Sequence, residues 1–144
     1  MYRRALLLAA ALAAVSTSAA CGSDNPEPSA DGRTIAVQMT DNRYSPTSFD
    51  VEKGETVTFE FVNAGQMTHE AYLGDEQAQD DHAGEMMSGG DHSMDMGGDD
   101  DVLTVEPGDT RTMTRTFDAA GIVVIGCHQP GHWESGMKAM VNVD

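Results

Sequence analysis

Cysteine and basic residues are scarce in this chain, and each shortage narrows what it can be. There are two cysteines, Cys21 and Cys127, among 144 residues. If Cys21 is used elsewhere, Cys127 has no disulfide partner. A free thiol is at risk in an oxidising compartment, so a metal partner for Cys127 makes chemical sense. Lysine and arginine total 8 against 24 aspartates and glutamates, a formal charge of −16. Nucleic acid and bare anionic lipid are therefore poor partners, whereas metal ions and basic protein surfaces are good ones. The apolar run at residues 5–15 is too short to span a bilayer comfortably. No stretch has the periodicity of a convincing amphipathic helix, and the D-x-D-x-D-G-x5-E spacing of a calcium loop is absent. The length suits one domain with one core.

The N-terminus carries an address rather than a fold. Tyr2-Arg3-Arg4 is basic, residues 5–15 are apolar, and residues 16–20 are small, which predicts an export signal over residues 1–20. Its removal takes away Arg3 and Arg4 and no acid, leaving a mature chain two units more negative than −16. Ser18-Ala19-Ala20-Cys21 resembles a bacterial lipobox, although Ser18 stands where a large aliphatic is usual. That resemblance implies lipidation at Cys21 and a cell-envelope lipoprotein on the outer face of the membrane. Ordinary cleavage near Ala20, giving a soluble periplasmic or secreted protein, is the alternative. Residues 21–32, with Pro26 and Pro28, read as a flexible tether.

From Arg33 the pattern is that of strands. Ile35, Val37 and Met39 alternate with polar or small residues, as do Phe49 and Val51, and then Val57, Phe59 and Phe61. Residues 102–105 and the β-branched run 110–117 continue the series. Residues 122–125 read as a buried strand and residues 138–143 as a closing one. Turns fall at Lys53-Gly54-Glu55, Pro107-Gly108-Asp109 and residues 118–121. Short strands between Gly and Pro turns predict an all-β domain over residues 33–144, either a β-sandwich or a small Greek-key barrel.

The chemistry concentrates near the C-terminus, where Cys127, His132 and Met137 follow the spacing C-x4-H-x4-M. One short loop with Pro130 and several glycines can aim a thiolate, an imidazole and a thioether at a single ion. Two His and one Cys with a long axial Met is the ligand set of electron-transfer copper. Thiolate and thioether favour Cu(I), and imidazole accommodates both oxidation states. The second imidazole has its candidate in His69, with His82 and His92 as competitors in a segment expected to be unstructured. Met140 competes with Met137 for the axial place but is expected to face the core. Taken singly, each residue has an ordinary explanation in packing or surface chemistry; their spacing beside a final strand argues for the metal.

The order His69, Cys127, His132, Met137, the last three beside the final strand, resembles the cupredoxins, the blue-copper family. The opening Tyr44-x-Pro46-x-x-Phe49-x-Val51-x-x-Gly54-x-Thr56-Val57 is similar to theirs, as is Phe61-Val62-Asn63 leading toward the first His. The resemblance implies a cupredoxin-like Greek-key fold, one type 1 copper site and one-electron transfer, with the edge of His132 as electron port. Trp133 is then either a rim residue covering that imidazole or an ordinary packing residue. Cys127-His128 followed by His132 also resembles the copper loop of multicopper oxidases. Gly126 stands where those enzymes have a further His, and their paired His-x-His motifs are missing. His128 is therefore expected at the surface or behind the ligands, and no catalytic residue is expected. Glu70 stands where many cupredoxins have Asn, which pins the two ligand loops together.

Residues 75–100 interrupt this pattern with Asp, Gly, Met and His and almost no aliphatic residues. Such a segment buries too little surface to offset its ordering entropy, and disorder is expected. His82, Met86, Met87, His92, Met94 and Met96 offer thioethers and imidazoles for a second, weaker and adaptable copper site. A solvated acidic linker is the plainer reading. Two functions remain: an electron carrier serving redox partner proteins near the membrane, and a copper-tolerance or copper-delivery protein that captures ions through the insert. Either would meet partners with basic docking surfaces.

Overall fold

The computed structural model describes residues 32–88 and 101–144. The expected signal segment, Cys21, nearly all of the tether, and His92, Met94 and Met96 lie outside the described residues. Along the chain run β1 (Arg33–Thr40), β2 (Arg43–Ser45), β3 (Ser48–Val51), β4 (Thr56–Asn63), β5 (His69–Gly74), α1 (Glu76–Met87), β6 (Val102–Val105), β7 (Thr110–Thr116), β8 (Gly121–Gly126) and β9 (Lys138–Val143). They form a four-stranded sheet, β2-β1-β4-β7, and a five-stranded sheet, β3-β9-β8-β5-β6. β1 runs parallel to β4 and β3 parallel to β9, while the other pairs are antiparallel. This is the expected sandwich with crossed, Greek-key-like connections.

The alternating residues do what their period demands. In β4, Val57, Phe59, Phe61 and Asn63 are buried and the intervening residues are half-buried. The chain's four phenylalanines, Phe49, Phe59, Phe61 and Phe117, all lie in the core. Phe59 meets Phe49 and Phe117 edge-on, with ring centroids 5.7 and 6.3 Å apart. Each such ring contributes about 1.5–3 kcal/mol by leaving water, so a chain poor in aromatics places its phenylalanines where they count most.

Three expectations need correction. β8 is not buried throughout: Ile122 is 59 % exposed and only its C-terminal residues reach the core. Its outward face is open to solvent at Ile122 and becomes covered only toward Gly126, where Gln79 and Trp133 lie over the strand. Met140 does not face the core either and is 48 % exposed. Ala139, Val141 and Val143 take the inward positions of β9, and a period of two turns Met140 outward. Finally, the first half of the insert is ordered. Asp75 caps α1 by accepting from the Ala78 amide at 2.8 Å. Gln79 and His82 are buried on its inner face. Hydrogen bonds from these polar side chains to the sheet supply what an apolar stripe usually does.

Candidate metal centre

Three strand ends converge at one end of the sandwich. His69 opens β5, Cys127 follows the last residue of β8, and the loop from Cys127 returns to begin β9 at Lys138. β5 and β8 are neighbours, with Tyr72 opposite Gly126, so the sheet itself brings His69 and Cys127 together. Gly126 leaves no free room for a side chain: an added Cβ would stand 2.8 Å from the Trp133 ring and collide with the Gln79 side-chain oxygen.

The loop folds back through its own main chain. The His132 amide donates to the Gln129 carbonyl at 2.9 Å, the Met137 amide to His132 at 3.0 Å, and the Cys127 amide to Met137 at 3.2 Å. Gly131 and Gly136 take positive φ angles of 83° and 91° where the chain reverses. Cys127 Sγ lies 3.3 Å from His132 Nδ1, and the His69 and His132 rings are 5.1 Å apart. Ligand atoms of His69, Cys127 and His132 all fall within 4.8 Å of one another. Met137 is fully buried beside them and tied by its main chain to both Cys127 and His132.

The approach to His69 is just as constrained. The Asn63 side chain donates to the carbonyls of Met67 (2.8 Å) and Val105 (2.9 Å) and accepts from the Gly65 amide at 2.9 Å. Asp41, in the turn between β1 and β2, accepts from the amides of Gln66 and Met67 and stands 3.8 Å from His69 Nε2.

The donor set fits a transition ion. His69 is fully buried, yet neither ring nitrogen has a hydrogen-bond partner. An orphaned buried imidazole is costly unless something occupies its lone pair. Burial, and then the neighbouring His132, hold the His69 pKa below its usual 6.5, with Asp41 opposing, so the ring favours its neutral, ligating form. Burial pushes the Cys127 thiol up from 9.0 despite hydrogen bonds from Glu70 and Gln129 that pull it down. A cation is what turns that thiol into a thiolate at neutral pH.

Behind the ligands, His128 is buried rather than on the surface. Its Nε2 donates to Gln79 Oε1 at 2.7 Å and its ring stacks on Trp133 at 4.7 Å. Trp133 therefore packs on His128, beneath the Lys138 ammonium at 4.1 Å. Glu70 accepts from the His128 amide at 3.1 Å and faces His82 Nε2 at 3.1 Å. His82 is thus placed beside Glu70; Met86 is half-buried and Met87 is 89 % exposed at the end of α1. Asp41 and Gln79 are not marked by the sequence alone. A turn aspartate and a helical glutamine carry no local signal, and only the fold brings them to the site.

Two facing sheets with a buried His, Cys, His cluster at one end define a cupredoxin, and the chain belongs to the cupredoxin-like family, whose domain model matches residues 5–83. Among individual proteins, it is similar to the copper-resistant cuproprotein CopI of Pseudomonas aeruginosa, with 31 % identity over 137 aligned residues, 77 % of this chain and 76 % of that protein. The copper-resistant cuproprotein CopI of Rubrivivax gelatinosus is 35 % identical over 112 residues, covering 77 % of this chain and 66 % of that one. Among solved structures, dithionite-reduced auracyanin from Roseiflexus castenholzii superposes with a TM-score of 0.65 at 26 % identity, covering 77 % of this chain and 96 % of that one.

Proposed function

We propose that this cupredoxin holds one copper ion in a type 1 site of His69, Cys127, His132 and Met137, and that it carries single electrons in the cell envelope as part of copper homeostasis. The carrying observation is the fully buried His69 with both ring nitrogens unpartnered, within 4.8 Å of the Cys127 and His132 donors. Copper in such a site supplies one-electron redox chemistry. The chain's own contribution is rigidity and dryness. His69, Cys127 and Met137 are fully buried and His132 is 6 % exposed, and the main-chain ties of the loop hold the donors in place. Export with a lipid on Cys21 would keep the carrier at the membrane surface. The acidic surface would favour redox or copper-handling partners with basic docking faces.

A second reading is copper capture or delivery through the insert. The exposed Met87 and half-buried Met86 at the end of α1, and similarity to proteins named for copper resistance, favour it. The decisive experiment for the main site is copper titration of the mature protein, followed by visible absorption and electron spin resonance. One equivalent should bind with an intense thiolate-to-copper band, and Cys127→Ser should abolish that band. Survival of the colour in the serine variant would overturn the ligand assignment.

A further inference from the structure

The proposed ligands leave unexplained a set of polar side chains packed behind them. Glu70 (4 % exposed), Gln79 (0 %), His82 (6 %) and His128 (8 %) are all buried. Two of them, Gln79 and His82, come from α1, three residues apart and so on one face of the helix. The other two are the residues that directly follow His69 and Cys127 in the chain. One helix therefore grips the side chains of the residues just past two ligands on neighbouring strands.

The grip runs to the sulfur itself. The Glu70 amide donates to Cys127 Sγ at 3.4 Å. One oxygen of the Glu70 carboxylate accepts from the His128 amide at 3.1 Å, and the other faces His82 Nε2 at 3.1 Å. Gln79 accepts from the His128 ring at 2.7 Å while its amide nitrogen donates to the carbonyls of Tyr72 (3.1 Å) and Val124 (2.8 Å), which seats α1 on β5 and β8. The His82 ring lies flat on Tyr72, with centroids 4.1 Å apart and 9° between planes. A buried carboxylate is strongly unfavourable unless its oxygens are satisfied, so the Glu70 side chain has little freedom to rearrange.

We propose that His82 and Gln79 are positioning residues for the copper centre: α1 fixes Glu70 and His128, these fix the N–H···S bond to Cys127, and the helix thereby sets the reduction potential. The proposal rests on the copper reading above and deepens it. A hydrogen bond to the ligand sulfur draws charge from the thiolate, weakens its donation to Cu(II) and favours Cu(I). Releasing Glu70 slackens that bond and lowers the potential. The arrangement also places the root of the Met- and His-bearing insert in direct contact with the electron-transfer site. Any ligand that draws His82 away from Glu70 is felt at Cys127.

The test uses the full mature chain with His82→Phe, which keeps a ring on Tyr72 but removes the polar contact, and His82→Gln, which restores a donor. His82→Phe should bind one copper, shift the thiolate-to-copper absorption, and lose about tenfold in its preference for Cu(I) over Cu(II), a fall of about 59 mV for a one-electron couple. His82→Gln should recover most of that loss. In the copper-free variant, hydrogen exchange at the Glu70 and His128 amides should quicken. A copper-loaded His82→Phe protein with unchanged absorption and potential overturns the proposal, as do equal shifts in the Phe and Gln variants. Absence of copper binding by the wild-type protein would sink the copper reading instead, and the amide exchange rates would still decide whether His82 holds Glu70. Unchanged exchange there removes the positioning role altogether.

Discussion

At the scale of single residues, Gly126 shows how tightly the back of the site is closed. Gln79 and Trp133 both crowd the place of its missing side chain, so Gly126→Ala must displace both. The expected cost is about 1–3 kcal/mol, read as a lower denaturant midpoint of the copper-free protein. Gly84→Ala is the control, because a Cβ there meets nothing within 4 Å and the position lies inside α1. It should stabilise by about 0.5–1 kcal/mol. A midpoint that does not fall in Gly126→Ala would show that Gln79 and Trp133 do not crowd that strand position. Residue chemistry was also the most legible part of the sequence. Cys127, His132 and Met137 announce themselves by spacing, because a single loop fixes their mutual distance. The roles of Asp41, Gln79 and His82 did not, since each acts across the fold on a residue far away in the chain.

At the scale of elements, strands were readable and the helix was not. β1, β3 and β4 alternate with a period of two because one face of each is buried. α1 has no apolar stripe to reveal it and is held by polar contacts to β5 and β8, so its sequence reads as solvated linker. The outward turn of Met140 and Ile122 was missed for a related reason. An apolar residue in a strand does not reveal which side its neighbours will cover. The helix also dictates how the insert should be tested. Removing residues 75–100 would strip Gln79 and His82 from the back of the site along with any copper-binding methionines. Removal of residues 89–100 alone leaves α1 in place. If the insert captures copper, that variant should bind fewer ions while the thiolate-to-copper band stays unchanged; unchanged stoichiometry and unchanged cellular copper tolerance would exclude capture by that stretch.

At the scale of the whole molecule, buried imidazoles make the copper-free fold sensitive to acid. Burial, then His132, lowers the pKa of His69 below 6.5; burial, then His82, does the same for His128 against opposing Glu70, Glu134 and Asp80. The unfolded chain protonates both near their ordinary value, while the folded chain resists. Below 6.5, down to the lowered native values, the unfolded state therefore binds more protons, and stability falls as the pH falls through that window. The thermal midpoint of the copper-free protein should drop between about pH 8 and about pH 5.5. A midpoint that rises instead would mean that relief of acidic self-repulsion outweighs both imidazoles. Copper affinity should weaken in the same direction, because protons compete for the ligands.

The positions of His69 and Cys127 carry a further consequence. Their neighbouring contact, from Glu70 to Cys127, already spans 57 residues of chain. An ion shared by His69 and Cys127 closes a ring of similar size, and by analogy with a disulfide such a closure removes about 4 kcal/mol of entropy from the denatured ensemble. Copper loading would thus act as a reversible crosslink, making resistance of the polypeptide to proteolysis depend on the supply of the ion.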